Sequence, residues 1–150
     1  MTLRLALVSP MPPSRSGIAD YSEALAGALR PLAEVTVIAS APPEFDPNIY
    51  DAVVYQMGNN PHHCFVYDLA LRHPGTVVLH EGNLHHLIAD MTVARGDWDS
   101  YLREVEHEGG APALVHARRA KALEVGPDYE GLPMIRRLLE RSKAVVVHSR

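Results

Sequence analysis

A histidine and a glutamate stand where a predicted buried strand ends. The strand covers residues 76–80, and the sequence His80-Glu81-Gly82-Asn83 completes it and continues past it. In a parallel α/β sheet, the carboxyl ends of the strands face the crevice where ligands bind. An imidazole there can donate to a ligand hydroxyl or act as an acid or base near neutral pH, and Glu81 and Asn83 add polar groups. The alternative is a structural histidine whose ring satisfies a neighbouring backbone group.

A second polar segment, residues 9–17, follows the first predicted strand and leads into a helix. Its sequence is SPMPPSRSG. The N–H groups at a helix start lack intrahelical partners, and the helix dipole adds partial positive charge, so such a start can hold a phosphate. Gly17 lets the backbone approach a ligand, while Arg15 and Ser16 offer guanidinium and hydroxyl donors. Neither a Walker loop nor a GxGxxG fingerprint is present, and a proline-stiffened loop with Ser16 as helix N-cap is the alternative.

The remaining histidines give no metal-binding spacing. His62 and His63 precede the single cysteine, Cys64, and His85 and His86 form a second pair. Adjacent residues of a helix point about 100° apart, so each pair offers one ligand to a given face. No CxxC or HExxH pattern accompanies them. We therefore expect structural or surface histidines, with neither a metal nor a cofactor.

Residues 56–60, QMGNN, follow the third predicted strand. Their amides and small glycine could line a crevice with neutral hydrogen-bonding groups. They are equally suited to a strand-to-helix turn with an asparagine cap, and both interpretations stay open.

Hydrophobic periodicity predicts an alternation of strands and helices. Strands are predicted at residues 3–8, 35–39, 52–55, 76–80 and 144–148, and helices near residues 18–29, 84–93, 98–107, 112–125 and 132–141. A further helix is capped by Asn60 and ends before Pro74-Gly75. The strands are apolar throughout rather than alternating, which is typical of a parallel sheet covered on both faces. The predicted fold class is α/β, a Rossmann-like, doubly wound, mostly parallel sheet with helices on both faces.

Length and composition indicate one soluble domain covering residues 1–150. Hydrophobic residues make up 47% and charged residues 21% of the 150-residue chain, and the net charge of −4 disfavours nucleic acid as a partner. One cysteine excludes an internal disulfide and fits a reducing cytosol. Residues 144–148 have the character of a central strand, yet the chain stops two residues later. We therefore expect a fragment of a larger protein.

Taken in order, four segments resemble the N-terminal half of a GT-B glycosyltransferase, of the retaining family 4 type that uses nucleotide sugars. The segments are PPSRSGIADYSEALAGAL at residues 12–29, VVYQMGNNPHH at 53–63, VVLHEGNLHHL at 77–87 and VVVHSR at 145–150. Together they span nearly the whole chain. The first and third are fairly specific in combination, whereas each segment alone is weak.

The resemblance implies two Rossmann-like domains facing a cleft, with the acceptor held mainly by the N-terminal one and the nucleotide sugar by the C-terminal one. Gly17 matches the loop glycine whose backbone approaches the donor diphosphate. His80 matches the histidine that lies near the transferred sugar, and Ser149 matches the strand-end serine before the crossing into the second domain. Retention in this class is usually explained by front-face attack assisted by the leaving phosphate. No protein nucleophile is implied.

This chain departs from the family because the donor-binding half, with its EX7E motif, is missing. We expect an acceptor-side domain that is inactive alone and that works with a C-terminal domain in cis, a nucleotide-sugar donor and an unknown acceptor. We expect a cytoplasmic location. Peripheral contact with the inner face of the membrane and a homodimer through an exposed cleft face both stay open. The alternative function is a free-standing Rossmann-like module that binds a phosphorylated small molecule without catalysis.

Overall fold

The computed structural model describes residues 1–149, so Arg150, the last residue of the fourth family-like segment, lies outside the described residues. The strands are Leu3–Val8 (β1), Ala33–Ile38 (β2), Ala52–Met57 (β3), Thr76–Leu79 (β4) and Ala144–Val147 (β5). The helices are Gly17–Leu29 (α1), Cys64–Arg72 (α2), His85–Met91 (α3), Trp98–Lys121 (α4) and Arg136–Arg141 (α5). Short 3₁₀ turns lie at Pro47–Ile49, Pro61–His63 and Val93–Arg95.

The chain forms two compact units. The first comprises Met1–Gly58, His62–His80 and residues 141–149, and it contains all five strands together with α1 and α2. The second comprises Asn59–Pro61 and Glu81–Glu140, and it is helical. The predicted α/β class is confirmed, because the five strands form one parallel sheet flanked by helices.

The sheet has the strand order β2-β1-β3-β4-β5. This is one of the common doubly wound orders, and the direction of strand addition reverses between β1 and β3. The two strands beside that reversal are the most deeply buried part of the sheet: Leu7 and Val8 of β1 and Tyr55 and Met57 of β3 have no exposed surface. Continuous apolar runs suit these positions because neighbouring strands and helices cover them from all sides.

Four strand predictions need correction. β2 covers Ala33–Ile38 instead of residues 35–39, and β4 and β5 each end one residue before the predicted end. β3 runs on to Met57, two residues beyond the predicted end, because Gln56 and Met57 pair with Val78 and Leu79 of β4. β5 was expected to be a central strand, but it lies at the edge of the sheet within the described chain. Its valines, Val145 to Val147, are 40–54% exposed, since no described strand pairs with its outer side.

The second unit is built around α4, which joins two predicted helices into one. The predicted break at Gly109-Gly110 survives as a kink, since Gly110 has φ 72° and ψ −162°. Pro112 follows it and cannot donate a helical hydrogen bond. The buried residues of α4, Tyr101, Val105 and Ala117, lie on both sides of this kink.

A glycine and two serines fix the packing of helix α1 on the sheet. Gly58, directly after β3, is so closely packed that a Cβ there would lie 2.5 Å from Ile18 Cδ1 and 2.8 Å from His63 Nε2. At the end of β1, the buried Ser22 and Ser9 hydroxyls lie 2.7 Å apart, and Ser9 donates to the Pro10 carbonyl oxygen at 2.8 Å. Since that carbonyl can only accept, the Ser22 hydroxyl donates to Ser9 and so fixes α1 to β1.

None of the helices in residues 1–149 combines the length and the apolar character that a membrane-spanning helix requires.

Substitution of Gly58 tests this seating of α1. Gly58→Ala forces Ile18 or His63 to move, and overpacking of this kind lowers the free energy of unfolding by about 1–3 kcal/mol. Gly27→Ala is the matched control, since a Cβ at that helical position meets nothing within 4 Å. Its helix propensity predicts a gain of about 0.5–1 kcal/mol. Urea unfolding measures the free energy of unfolding of both variants. Equal changes in the two variants would contradict the close packing of Gly58 against Ile18 and His63.

Candidate functional site

The carboxyl ends of the parallel strands meet at one edge of the sheet, here called the carboxyl edge. Ser9 follows β1, Gly58 follows β3, His80 follows β4 and His148 follows β5. The strand order reverses between β1 and β3, and in doubly wound sheets ligands bind at the carboxyl edge beside such a reversal. The topology therefore brings together the two motifs that the sequence singled out, the loop before α1 and His80.

His80 is held by a side chain of β3. Its Nε2 lies 2.6 Å from Oε1 of Gln56, and its backbone N–H donates to the Met57 carbonyl oxygen at 3.1 Å. A carboxamide oxygen can only accept, so the imidazole proton is on Nε2. Nδ1 has no hydrogen-bond partner among residues 1–149, and in the neutral ring it is an acceptor. The geometry thus changes the predicted hydroxyl donor into a hydroxyl acceptor.

Two further aromatic rings surround His80. The centroid of Tyr21 from α1 lies 4.9 Å away, edge to face at 77°, and that of His148 also lies 4.9 Å away. Tyr21 and His148 are 5.5 Å apart. We call Tyr21, His80 and His148 the ring cluster. The sequence did not reveal it, because Tyr21 fits an apolar helical position and His148 fits a strand end.

The environment of His80 keeps its ring uncharged at neutral pH. Burial lowers the pKa of His80 below the ordinary value of 6.5, and repulsion from His148 lowers it further. A neutral imidazole with one ring nitrogen fixed and the other unpartnered suits hydrogen bonding or proton acceptance at Nδ1.

The loop before α1 places a helix start at the same edge. Ser16 is the N-cap, and its Oγ accepts from the Ile18 N–H at 3.2 Å. Gly17 is the first helical residue, and a Cβ there would meet nothing within 4 Å. Arg15 is exposed. Ser16 is therefore a helix N-cap, which was the alternative interpretation of this loop. The backbone at Gly17 remains open to a ligand.

The other predicted site residues are placed differently. Glu81 is exposed and belongs to the second unit, as does Asn83. Asn83 has a structural role, because its Nδ2 donates to the Tyr129 carbonyl oxygen at 2.6 Å and its Oδ1 accepts from the His85 N–H at 2.9 Å. Ser149 is exposed beyond β5. A binding role for these three residues stays a prediction.

His63 is a buried histidine below the carboxyl edge. Its Nδ1 donates to the Gln56 carbonyl oxygen at 2.9 Å, which leaves Nε2 unprotonated and without a hydrogen-bond partner among residues 1–149. Burial lowers the pKa of His63 to about 4. Gln56 therefore contacts two histidines, His63 through its main chain and His80 through its side chain.

His85 has a comparable place in the second unit. Its Nδ1 donates to the Leu132 carbonyl oxygen at 2.8 Å, and its Nε2 accepts from the Tyr101 hydroxyl at 2.7 Å. Burial lowers the pKa of His85 and raises that of Tyr101 to about 12. Both ring nitrogens are occupied, so His85 is structural. Within residues 1–149, no three His, Cys, Asp or Glu side chains are grouped so that they could hold a metal ion.

Comparison with known proteins adds no relative. No protein-family model matches this chain, and neither a curated protein nor a solved structure matches it. The chemistry of the carboxyl edge therefore rests on its own residues.

The buried His63 predicts an acid-sensitive fold. Its pKa is about 4 in the folded chain and near the ordinary 6.5 in the unfolded chain, so the unfolded chain binds more protons between these values. The stability that depends on a neutral His63 is fully present above pH 6.5. As the pH falls toward 4, the free energy of unfolding decreases by at most about 1.4 kcal/mol for each pH unit from this one group. His63→Gln should flatten the slope, with part remaining because burial also lowers the pKa of His80 and His85. Urea unfolding of both proteins from pH 7 to 4 measures the pH dependence of the free energy of unfolding. Equal slopes in the wild type and in His63→Gln would contradict the assignment of this pH dependence to His63.

Proposed function

We propose that this chain is the acceptor-side domain of a retaining GT-B glycosyltransferase of the family 4 type, which transfers a sugar from a nucleotide-sugar donor. The observation that carries the proposal is His80 at the carboxyl end of β4, with Nε2 bound to Gln56 at 2.6 Å and Nδ1 without a described partner. A fixed, neutral hydrogen-bonding group is what recognition of a sugar hydroxyl requires.

The helix start supports the same proposal because it lies close to the ring cluster. Gly17 and Tyr21 are four residues apart on α1, which places them on one face and about 6 Å apart along the helix axis. The Tyr21 ring in turn lies 4.9 Å from His80. A diphosphate at the N–H groups of Gly17 and a sugar at His80 would therefore be neighbours, which is the arrangement of a nucleotide sugar.

Each residue has a distinct role in this proposal. Gly17 offers backbone N–H and leaves room for the diphosphate, and Ser16 fixes the helix start. His80 accepts from a hydroxyl of the sugar at Nδ1, while Gln56 holds the ring in one orientation. Catalysis in this class rests on positioning and charge stabilisation across a cleft. We accordingly propose a donor-binding domain in cis as partner, a cytoplasmic location and no transfer by residues 1–150 alone.

A second candidate is a binding module for a phosphorylated small molecule that performs no chemistry. The observation that favours it is the open helix start at Gly17, which needs no histidine to bind an anion. The two candidates differ in what His80 does. A binding module keeps its affinity for an organic phosphate when the imidazole is removed, whereas a transferase loses turnover.

Removal of the imidazole provides the test. In the protein that contains this domain together with its donor-binding domain, His80→Ala should lower kcat/KM for sugar transfer by about 10²-fold, because the sugar loses a contact that positions it and misplacement by about 1 Å costs that much. Gly17→Trp should abolish transfer by filling the space at the helix start. The assay is nucleotide release from a panel of nucleotide sugars.

Arg30→Gln is the control variant, since Arg30 is exposed at the opposite end of α1. It should keep the unsubstituted rate, and all three variants should keep the far-UV spectrum. Unchanged transfer in both His80→Ala and Gly17→Trp would contradict the site. A reading frame that encodes no second α/β domain would favour the binding module.

A further inference from the structure

A cavity of about 530 Å³ lies at the opposite edge of the sheet, within the first unit. It is lined by Pro47, Asn48, residues 50–53 and 72–76, and Lys143. Because the first residues of β3 and β4 and the residue before β5 are among these, the cavity lies at the amino-terminal ends of the strands. We call it the amino-edge cavity. It shares no lining residue with the carboxyl edge.

Positive charge exceeds negative charge in the amino-edge cavity. Arg72 and Lys143 both line it, and neither has a carboxylate partner among residues 1–149. Asp51 is the one carboxylate of the described lining, and it is already satisfied: its oxygens accept from the Arg4 backbone N–H at 2.8 Å and from the Arg4 guanidinium at 3.4 Å. The cavity therefore offers two cations without a counter-ion.

Backbone contacts hold the residues next to these two cations in place. The Tyr55 hydroxyl donates to the His73 carbonyl oxygen at 2.6 Å. Gly75 lies against β3 so closely that a Cβ would be 2.6 Å from the Val53 carbonyl oxygen. The Lys143 N–H donates to the Gly75 carbonyl oxygen at 2.9 Å. The backbone that carries both cations is thus held in place by contacts within the first unit.

A second part of the lining, which includes Pro47, Asn48 and Tyr50, is fixed as well. Asp46 caps the 3₁₀ turn Pro47–Ile49 by accepting from the Asn48 backbone and side-chain N–H groups, each at 2.9 Å. Tyr50, which lines the cavity, stacks on Phe45 with ring centroids 6.0 Å apart. The volume is within the range that holds organic ligands and far exceeds one phosphate ion.

We propose that the amino-edge cavity is a second ligand site, which binds a small organic phosphate through Arg72 and Lys143. The phosphate lies between the guanidinium and the ammonium, and the organic part lies against Pro47 and Tyr50. Arg presents a planar fork and Lys a point charge, and both are common phosphate ligands in proteins. Since ligands of doubly wound sheets bind at the carboxyl edge, occupation of this cavity is separate from the proposed transfer site.

Calorimetric titration of the 150-residue chain with AMP, ribose 5-phosphate and inorganic phosphate tests the proposal. We expect saturable binding of at least one organic phosphate, tighter than that of inorganic phosphate. The double variant Arg72→Gln/Lys143→Gln should weaken it at least tenfold, while Arg30→Gln, an exposed arginine outside the cavity, should not. Both replaced side chains are exposed, so the double variant should keep the wild-type melting temperature.

The outcomes separate the two edges of the sheet. Binding that survives Gly17→Trp and is lost in the double variant supports the amino-edge site and leaves the proposed transferase untouched. Binding that is lost in Gly17→Trp and unchanged in the double variant would overturn the proposal. It would also be overturned if no probe bound saturably, or if inorganic phosphate bound as tightly as both organic phosphates.

Discussion

One buried amide organises the carboxyl edge. Gln56 of β3 has no exposed surface, and it contacts His80 through its side-chain oxygen and His63 through its carbonyl oxygen. Its own Nε2 is buried without a hydrogen-bond partner among residues 1–149, a cost of about 1–3 kcal/mol. Unsatisfied polar groups of this kind are rare in folded proteins. The orientation of His80 is thus maintained at the expense of stability, which is typical of binding and catalytic sites.

His63, the second histidine that Gln56 contacts, links the site to the packing of α1 on the sheet. His63 packs where a side chain at Gly58 would have to be, and Ile18 of α1 fills the rest of that space. The end of β3 therefore fixes the start of α1, and α1 carries both Gly17 and Tyr21. Because Tyr21 contacts His80 and His148, three elements converge on one small region. A disturbance at Gly58 would reach the helix start and the ring cluster together.

Local pattern was enough to predict the number and approximate positions of the strands and the placement of two polar motifs at strand ends, because continuous apolar runs and the polar residues that follow them are visible in the sequence. β1 has the predicted bounds, Leu3–Val8. Gln56 was placed outside β3, because the sequence does not show a partner for a polar residue at the end of an apolar run. Its partner, His80, directly follows the neighbouring strand β4. The edge position of β5, the local role of Asn83 and the ring cluster depend on tertiary contacts. So does the amino-edge cavity, whose cations are far apart in the chain.

The protonation of His80 tests the central claim most directly. Long-range ¹H–¹⁵N correlation spectra of the histidine-labelled chain at neutral pH identify the protonated nitrogen of each ring. We expect a proton on Nε2 of His80 and on Nδ1 of His63, because the Gln56 side-chain and main-chain oxygens can only accept. A proton on Nδ1 of His80 would contradict the claim, since the Gln56 amide would then be reversed and the ring would offer a ligand a donor instead of an acceptor.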